Sequence, residues 1–414
     1  MDLTRLDSYT VWLAATSGRI SGVDLFSANL VRELNARGYR AAILVTQPQE
    51  RTPDPLPFPQ NVPRVNLPVT LQMNWQRRWR VLREFLEQGA PCFYLPNYDW
   101  RYSGISPTLS ARVKIIGIAH SDDAQHYEHV ARLGAYWNHI VAVSCAIASE
   151  IKTRHPQFRA RVSSIPYGVA VPTTPARKNR GDGELRLVYA GRLTQTQKRV
   201  FDLAHIANAL YAQDIPFSLT VIGDGADRAR LAELCAPLFA SGHVKLRGSL
   251  PNEVVLREYA RHDVFILTSE YEGLSLAMLE AMARGCVPVV TNVRSGVPEI
   301  LRDGENGLVI PLGDTQTFVN RLMWLQRDRA QLEQMSRAAY QTLAEGEYRI
   351  EAMTARYVEL FEKTIAENFA RPRGNITPLD AQRIETSWIG HLPFRVRHLV
   401  RRLRGRKFFF QGEA

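Results

Sequence analysis

Short apolar runs alternate along the chain with longer stretches in which apolar residues recur every three or four positions. The run TVWLAAT has the length and character of a buried strand. After the turn SGRISG, the segment VDLFSANLVRELNARG carries apolar residues at helical spacing and closes on Gly38, a residue suited to a C-cap. AAILVT then reads as a second strand. Strand, helix and strand in that order form a βαβ unit, which implies a parallel sheet with a right-handed crossover. Further buried-type strands are expected at CFYLP, KIIGIA, HIVAVS and VSSIPYG, with helices at WQRRWRVLREFLEQG and SCAIASEIKTRHP. The pattern predicts a doubly wound α/β domain over residues 1–172.

Between Val171 and Glu184 the sequence VPTTPARKNRGDGE has no periodicity and is rich in proline, glycine and charge, so residues 173–184 read as a linker. A second series follows over 185–346. Its strands are LRLVYAG, FSLTVIGDG, HVKLRG, VFILTS, VPVVT and NGLVIP, separated by helical segments such as RVFDLAHIANALYAQ and DRARLAELCAPLFA. A helix within 347–371 is expected to return to the first domain, and residues 372–414 form a tail. The expected fold class is α/β, with two Rossmann-like doubly wound domains facing a cleft at the carboxyl ends of their strands, where such sheets bind ligands.

Length agrees with this division, since 414 residues exceed what one ordinary core holds. Apolar residues make up 45% and charged residues 22%, values of a water-soluble globular chain. No run approaches the roughly 20 apolar residues of a membrane span, and the run YTVWLAAT is short for a secretory leader, so a cytoplasmic location is expected. Cys92, Cys145, Cys235 and Cys286 lie far apart without C-x-x-C spacing, which predicts reduced core residues rather than a zinc site or disulfides.

Charge changes the picture at one end. Residues 391–414 hold seven Arg and Lys against Glu413 alone, a net +6 of the chain's +11. Phe394, Leu399, Val400 and Leu403 interleave with the basic residues at loosely helical spacing. Two readings stay open: an interfacial helix on the anionic cytosolic face of a membrane, and a solvated, frayed terminus. A basic run without a recognisable module gives nucleic acid little support.

Candidate chemistry centres on SEYEGLSLAMLEAMARGCVPVV, residues 269–290. VFILTS is a strand, EYEG the loop leaving it, and LSLAMLEAMARG a helix ended by Gly285. A helix start at Gly273, Leu274 and Ser275 would present backbone N–H groups and a positive dipole end to an anion. Eight residues separate Glu272 from Glu280, roughly 12 Å along a helix, a spacing that suits one carboxylate on a sugar and one on a ribose. The plainer reading makes Glu272 a loop charge and pairs Glu280 with Arg284 across one helical turn. YAGRLTQTQKR adds Arg192 and Lys198 beyond the second domain's first strand, on the same rim as Glu272, where two cations would stabilise charge on a departing diphosphate.

These segments resemble the retaining glycosyltransferases of family 4, which have the GT-B fold. The E-x7-E pattern is met by Glu272 and Glu280, the G-R-L followed by lysine by Arg192 and Lys198, and RSGVPEILRDGENGLVIPLGD, VIGDGADR, VAVS and IPYGV resemble neighbouring family segments. The resemblance spans about residues 9–365. It implies that Glu280 binds the ribose hydroxyls, that Glu272 and the amides of Gly273, Leu274 and Ser275 lie against the donor sugar, and that Arg192 and Lys198 hold the diphosphate. In the first domain it implies that Ser21 and Gly22 stand where the family has a Gly-Gly turn, the serine being a departure, and that His120 reaches toward the transferred sugar. The implied reaction is metal-independent transfer of a hexose, with retention, from a nucleotide-diphosphate sugar such as UDP- or GDP-hexose. No cofactor is implied. The acceptor would be a hydroxyl of a glycan or lipid-linked glycan in polysaccharide or glycoconjugate assembly.

Other constellations in the sequence carry less chemistry. HSDDAQHYEH places His126 and His129 at i,i+3, but without a second ligand cluster they read as solvated positions rather than a metal site. GDG at Gly223 is too short for a dinucleotide fingerprint. Trp100 and Tyr102 in PNYDWRYSG could stack on a sugar or be structural. A non-catalytic nucleotide-sugar-binding or scaffold protein and a GT-B epimerase remain as alternatives, the first kept open by Ser21, the second disfavoured by Glu272 and Glu280 together with Arg192 and Lys198.

Overall fold

The computed structural model describes residues 4–15, 21–48, 61–97, 99–175 and 183–377. Among them the chain divides into two compact units, one reaching to Ile165 and resuming at Ile350, the other Pro166–Arg349. Strands are β1 Thr10–Ala15, β2 Arg40–Val45, β3 Arg64–Asn66, β4 Cys92–Leu95, β5 Val113–Ala119, β6 His139–Ala142 and β7 Val162–Ser164 in the first unit. The second has β8 Leu185–Ala190, β9 Phe217–Ile222, β10 Val244–Gly248, β11 Val264–Leu267, β12 Val287–Thr291 and β13 Leu308–Ile310.

Among the described residues every pairing between these strands is parallel, in the orders β3-β2-β1-β4-β5-β6-β7 and β10-β9-β8-β11-β12-β13. Both sheets therefore reverse direction of winding beside their first strand, between β1 and β4 and between β8 and β11. Loops leaving adjacent strands at such a point diverge to opposite faces and open a crevice at the carboxyl edge. Central strands are fully buried, as in Phe93–Leu95 and Val264–Ile266, which is why they read as continuous apolar runs rather than alternating ones.

Helix Gly22–Ala36 follows β1 and ends where expected, with Gly38 at φ +87. The segment DRARLAELCAPLFA is two short helices, Arg228–Leu234 and Ala236–Ala240, because Pro237 cannot donate its backbone bond and breaks the run. Helix Ile350–Ala366 packs within the first unit, Phe361 lying 4.5 Å from Phe93 and Tyr357 5.9 Å from Phe26 between ring centroids. Beyond it, Arg371 donates to the carbonyls of Leu109, Ser110, Val113 and Tyr136 and to the Asn138 side chain, fixing the chain after the helix.

Three expectations need correction. Cys145 is exposed, unlike the three buried cysteines, because it occupies the outer face of helix Cys145–Arg154 at its first turn. His126 and His129 are buried rather than solvated: Trp100 lies against both rings, Asp123 bonds His126, and Ser103 and Arg132 engage the two nitrogens of His129. Tyr102 is buried as well, edge-on to Trp75, so it offers no open face to a sugar. The basic run 391–414 and most of the linker lie outside the described residues. No described helix is long and apolar enough to cross a membrane.

Candidate active site

In the second unit the site is built on the loops leaving β8 and β11, the pair flanking the reversal. Lys198 ends the short helix Gln195–Lys198, and its Nζ lies 2.5 Å from Oε1 of Glu272, which also accepts from Ser269 Oγ at 2.6 Å. Both partners are largely buried, with side-chain exposures of 14% and 8%. Several bonds hold the two loops in register: Glu270 N–H donates to the Gln197 carbonyl, Thr268 Oγ1 to the Lys198 carbonyl, and Gln197 Nε2 to the Tyr271 carbonyl. Arg192 joins this group through Gln197, its Nη2 2.8 Å from Oε1. Lys198, Glu272 and Arg192 are thus brought together by one stitched pair of loops.

Arg192 is held from below by glycine. Gly223, at φ +134, brings its backbone so close to the loop after β8 that a Cβ there would sit 1.9 Å from the Gly191 carbonyl oxygen, and one on Gly225 would sit 2.3 Å from that of Leu193. The freed space lets Gly191 and Leu193 donate to Ile222 and Asp224. GDG is therefore a packing device for the loop that carries Arg192, a role that motif length alone could not show. Gly223→Ala is expected to destabilise the protein by about 2 kcal/mol or more and to weaken anion binding; chemical denaturation and nucleotide titration of the variant check both.

The helix carrying Glu280 is shorter than expected, Leu276–Met282, with Ser275 as its N-cap accepting from Met278 N–H. Gly273 and Leu274 precede the helix, so helical rise does not measure the path from Glu272 to Glu280. Ser295 Oγ donates to the Gly273 carbonyl at 2.7 Å, and Gly296, at φ +76, leaves room for that carbonyl, where a Cβ would approach to 2.7 Å. RSGVPE thereby supports the loop behind Gly273. Gly285 at φ +75 ends the helical region.

Glu280 is buried and accepts from Asn252 Nδ2 at 3.1 Å, while the neighbouring Arg284 donates to the Ala170 carbonyl. This replaces the picture of a solvent-facing Glu280–Arg284 pair. Burial pushes the Glu280 carboxyl up to about 7, partly opposed by the Asn252 bond and the Arg284 charge. Each glutamate influences a buried phenol: the pKa of the Tyr189 hydroxyl is raised by burial and by Glu272, that of Tyr259 by burial and by Glu280. Asn252 was not legible as a site residue, because nothing local connects it to a carboxylate 28 positions away.

In the first unit, Ser21 is the N-cap of helix Gly22–Ala36 in a full capping box. Asp24 N–H bonds its hydroxyl, and the Asp24 carboxylate takes the Ser21 N–H and Oγ–H. Gly22 is the first helical residue, and Thr16–Ile20 of the same loop lie outside the described residues. His120 follows β5, is buried, and meets Phe26 of that helix edge-on at 5.6 Å. Burial holds its imidazole pKa well below the ordinary value, aided by the nearby His126.

Residues 171–342 match the family model described as Glycosyl transferases group 1. Among solved structures the chain is similar to TarM, with a TM-score of 0.71 and 12% identity over 87% of this chain and 100% of that one. It is also similar to the lipopolysaccharide outer core galactosyltransferase WaaB, with a TM-score of 0.65 and 18% identity over 86% of this chain and 99% of that one. The fold is GT-B. Within this GT-B chain the curated matches are partial. The lipopolysaccharide core biosynthesis glycosyltransferase LpsE of Rhizobium meliloti is 33% identical over 143 residues, 34% of this chain and 41% of LpsE. The putative colanic acid biosynthesis glycosyltransferase WcaL of Salmonella typhimurium is 30% identical over 168 residues, 39% of this chain and 41% of WcaL. The match spans about two-fifths of the length of those relatives.

Proposed function

We propose that this GT-B chain is a retaining glycosyltransferase of family 4 type. It would move a hexose from a nucleotide-diphosphate sugar to a hydroxyl of a glycan or lipid-linked glycan in polysaccharide assembly. The observation that carries the reading is the Lys198–Glu272 pair, joined to Arg192 through Gln197, at the strand ends where the second sheet reverses. Relatives named for lipopolysaccharide, colanic acid and amylovoran biosynthesis support the substrate class, and a similar structure was solved with UDP and GlcNAc.

The roles follow from the chemistry of each group. Lys198 and Arg192 take the diphosphate, whose charge grows as the glycosidic C–O bond breaks. The acceptor oxygen bonds to the anomeric carbon on the face the phosphate leaves, and its proton passes to a phosphate oxygen, so no protein carboxylate serves as nucleophile. Glu272 orients sugar hydroxyls, with the loop Gly273, Leu274 and Ser275 beside it. Glu280 accepts from the two ribose hydroxyls. Residues up to about 172 would form the acceptor domain, within which Ser21 and Gly22 would contact the donor and His120 would reach the transferred sugar.

Thermal unfolding across UDP, GDP, ADP and CMP and their common sugars tests this. One nucleotide class at a hundredfold excess over Kd is expected to stabilise the wild type by about 2.7 kcal/mol and to lose that effect in Glu280→Ala. No stabilisation by any donor, with no transfer to glycan acceptors, would exclude the reading.

A further inference from the structure

We propose that Arg199 is a positioning residue for Lys198. Its left-handed backbone reverses the chain directly after Lys198, and its guanidinium, forked on buried Asp202, pins that reversal so that the Lys198 ammonium is seated on Glu272. That this ammonium then meets a donor diphosphate rests on the transferase reading above; the seating itself does not.

Lys198 closes a helix of only four residues, Gln195–Lys198. So short a helix makes too few internal bonds to hold its own direction, and whatever is tied to its two ends decides where Lys198 points. At the start, the Asp227 carboxylate takes the Gln195 N–H at 2.7 Å. At the end stands Arg199, at φ +46 and ψ +46, donating its N–H to the Gln195 carbonyl. This left-handed region crowds the Cβ of any side chain, whereas glycine holds it without strain. An arginine there must be kept in place by the contacts around it.

Those contacts lie beside the site. Arg199 Nε donates to Asp202 Oδ2 at 2.8 Å and Nη2 to Oδ1 at 3.4 Å, a two-pronged bond of guanidinium to carboxylate. Asp202 stands in the first turn of helix Phe201–Tyr211 with a side chain only 7% exposed, so the fork grips a packed helix. The Arg199 carbonyl takes the Asp202 N–H. Thr268 Oγ1, just past β11, lies 2.8 Å from the Lys198 carbonyl and 3.2 Å from that of Arg199. Gly313, at φ +78, completes the enclosure, since a Cβ there would come to 3.3 Å from Arg199 Nη2. Glu270 lies 3.9 Å from Nη1, but its side chain is 50% exposed, and a pair so open to water adds little. The fork on Asp202 therefore carries the clamp. With two nitrogens on that carboxylate, Arg199 acts on a ligand through its neighbour: the chain turns behind Lys198, Thr268 fixes its carbonyl, and Nζ meets Oε1 of Glu272.

The test is a double-mutant cycle on the full-length protein between Arg199→Gly, which keeps the left-handed turn and removes the clamp, and Lys198→Ala. Turnover is read as nucleotide released from UDP- or GDP-hexose, to water or to a glycan acceptor. With Lys198 present, Arg199→Gly is expected to lower kcat roughly tenfold with little change in donor KM; in Lys198→Ala it should change kcat less than about twofold. Denaturant unfolding of the same four ligand-free proteins should give losses that are less than additive, because an unseated Lys198 has less to lose. Should Arg199→Gly not fold, Asp202→Asn, which removes the charge that the fork grips, is expected to show the same dependence on Lys198 at smaller amplitude. A fall in kcat by one factor with and without Lys198, an unchanged kcat in the folded variants, or additive unfolding losses overturns the proposal, and Arg199 then only fastens the helix that follows. Less-than-additive unfolding in a protein that releases no nucleotide from either donor keeps the seating of Lys198 and rejects the diphosphate role.

Discussion

On the proposed transferase reading, Lys198→Ala is expected to lower turnover by two to three orders of magnitude and also to destabilise the ligand-free protein. The first effect would follow from removing a cation that, on that reading, faces the charge developing as the diphosphate departs. The second follows from the pair itself. Glu272 has side-chain exposure of only 8% and, among the described residues, is left with Ser269 as its side-chain donor; removing one member of such a buried pair costs about 3 kcal/mol. Activity and stability must then be separated, and the double variant does so. Lys198→Ala with Glu272→Ala removes both charges, so much of the lost stability should return while turnover stays low. Steady-state kinetics and denaturant unfolding on the four proteins of the cycle read the two quantities independently. Full recovery of turnover in the double variant would mean that the pair is structural and that the diphosphate is held elsewhere.

Strands and the helices between them were readable because parallel strands covered on both faces are continuous apolar runs, and the crossover rule allows few topologies. Lys198 and Glu272 could be placed on one rim from topology alone, since β8 and β11 are neighbours once the sheet reverses. What could not be read depends on contacts across many residues. Asn252 and Asn97 are ordinary polar positions in the sequence; folding alone brings Asn252 to Glu280 and Asn97 to His120. His126 and His129 looked solvated because the covering residue, Trp100, lies in a loop whose path has no periodicity to predict it. The helix carrying Glu280 is shorter than its sequence suggests, since LSLAMLEA has helical spacing throughout, while Ser275 caps the helix and excludes Gly273 and Leu274 from it. In each case local pattern was outweighed by a particular tertiary contact.

Glu280→Gln is expected to make the ligand-free protein more stable at pH 8 while abolishing the nucleotide's stabilising effect. Its carboxyl stands at about 7 in the folded protein against the usual 4.5, raised first by burial. A native state with the higher carboxyl pKa binds more protons than the unfolded chain between those values, so stability falls as pH rises through that window. The contribution is fully present below about pH 4.5 and lost above about pH 7, amounting to a few kcal/mol at about 1.4 kcal/mol per unit. Asp99, also raised to about 7 by burial, adds a fall of the same sign in the first unit, and it persists in the variant as an internal control. Glutamine keeps the shape and can still meet Asn252, but it never ionises, so the decline with pH should become shallower by the Glu280 share alone. Denaturant unfolding from pH 5 to 8.5 measures this. On the proposed reading the same substitution should weaken acceptance of two ribose hydroxyls at once, since an amide offers one acceptor oxygen where a carboxylate offers two. Nucleotide binding by the wild type should correspondingly strengthen from pH 6 to 8 as Glu280 ionises against the bound ribose. A buried carboxylate that costs stability without a ligand and repays it with one is what a binding group looks like; an unchanged pH slope in Glu280→Gln would show that the charge is accommodated without cost and remove that argument.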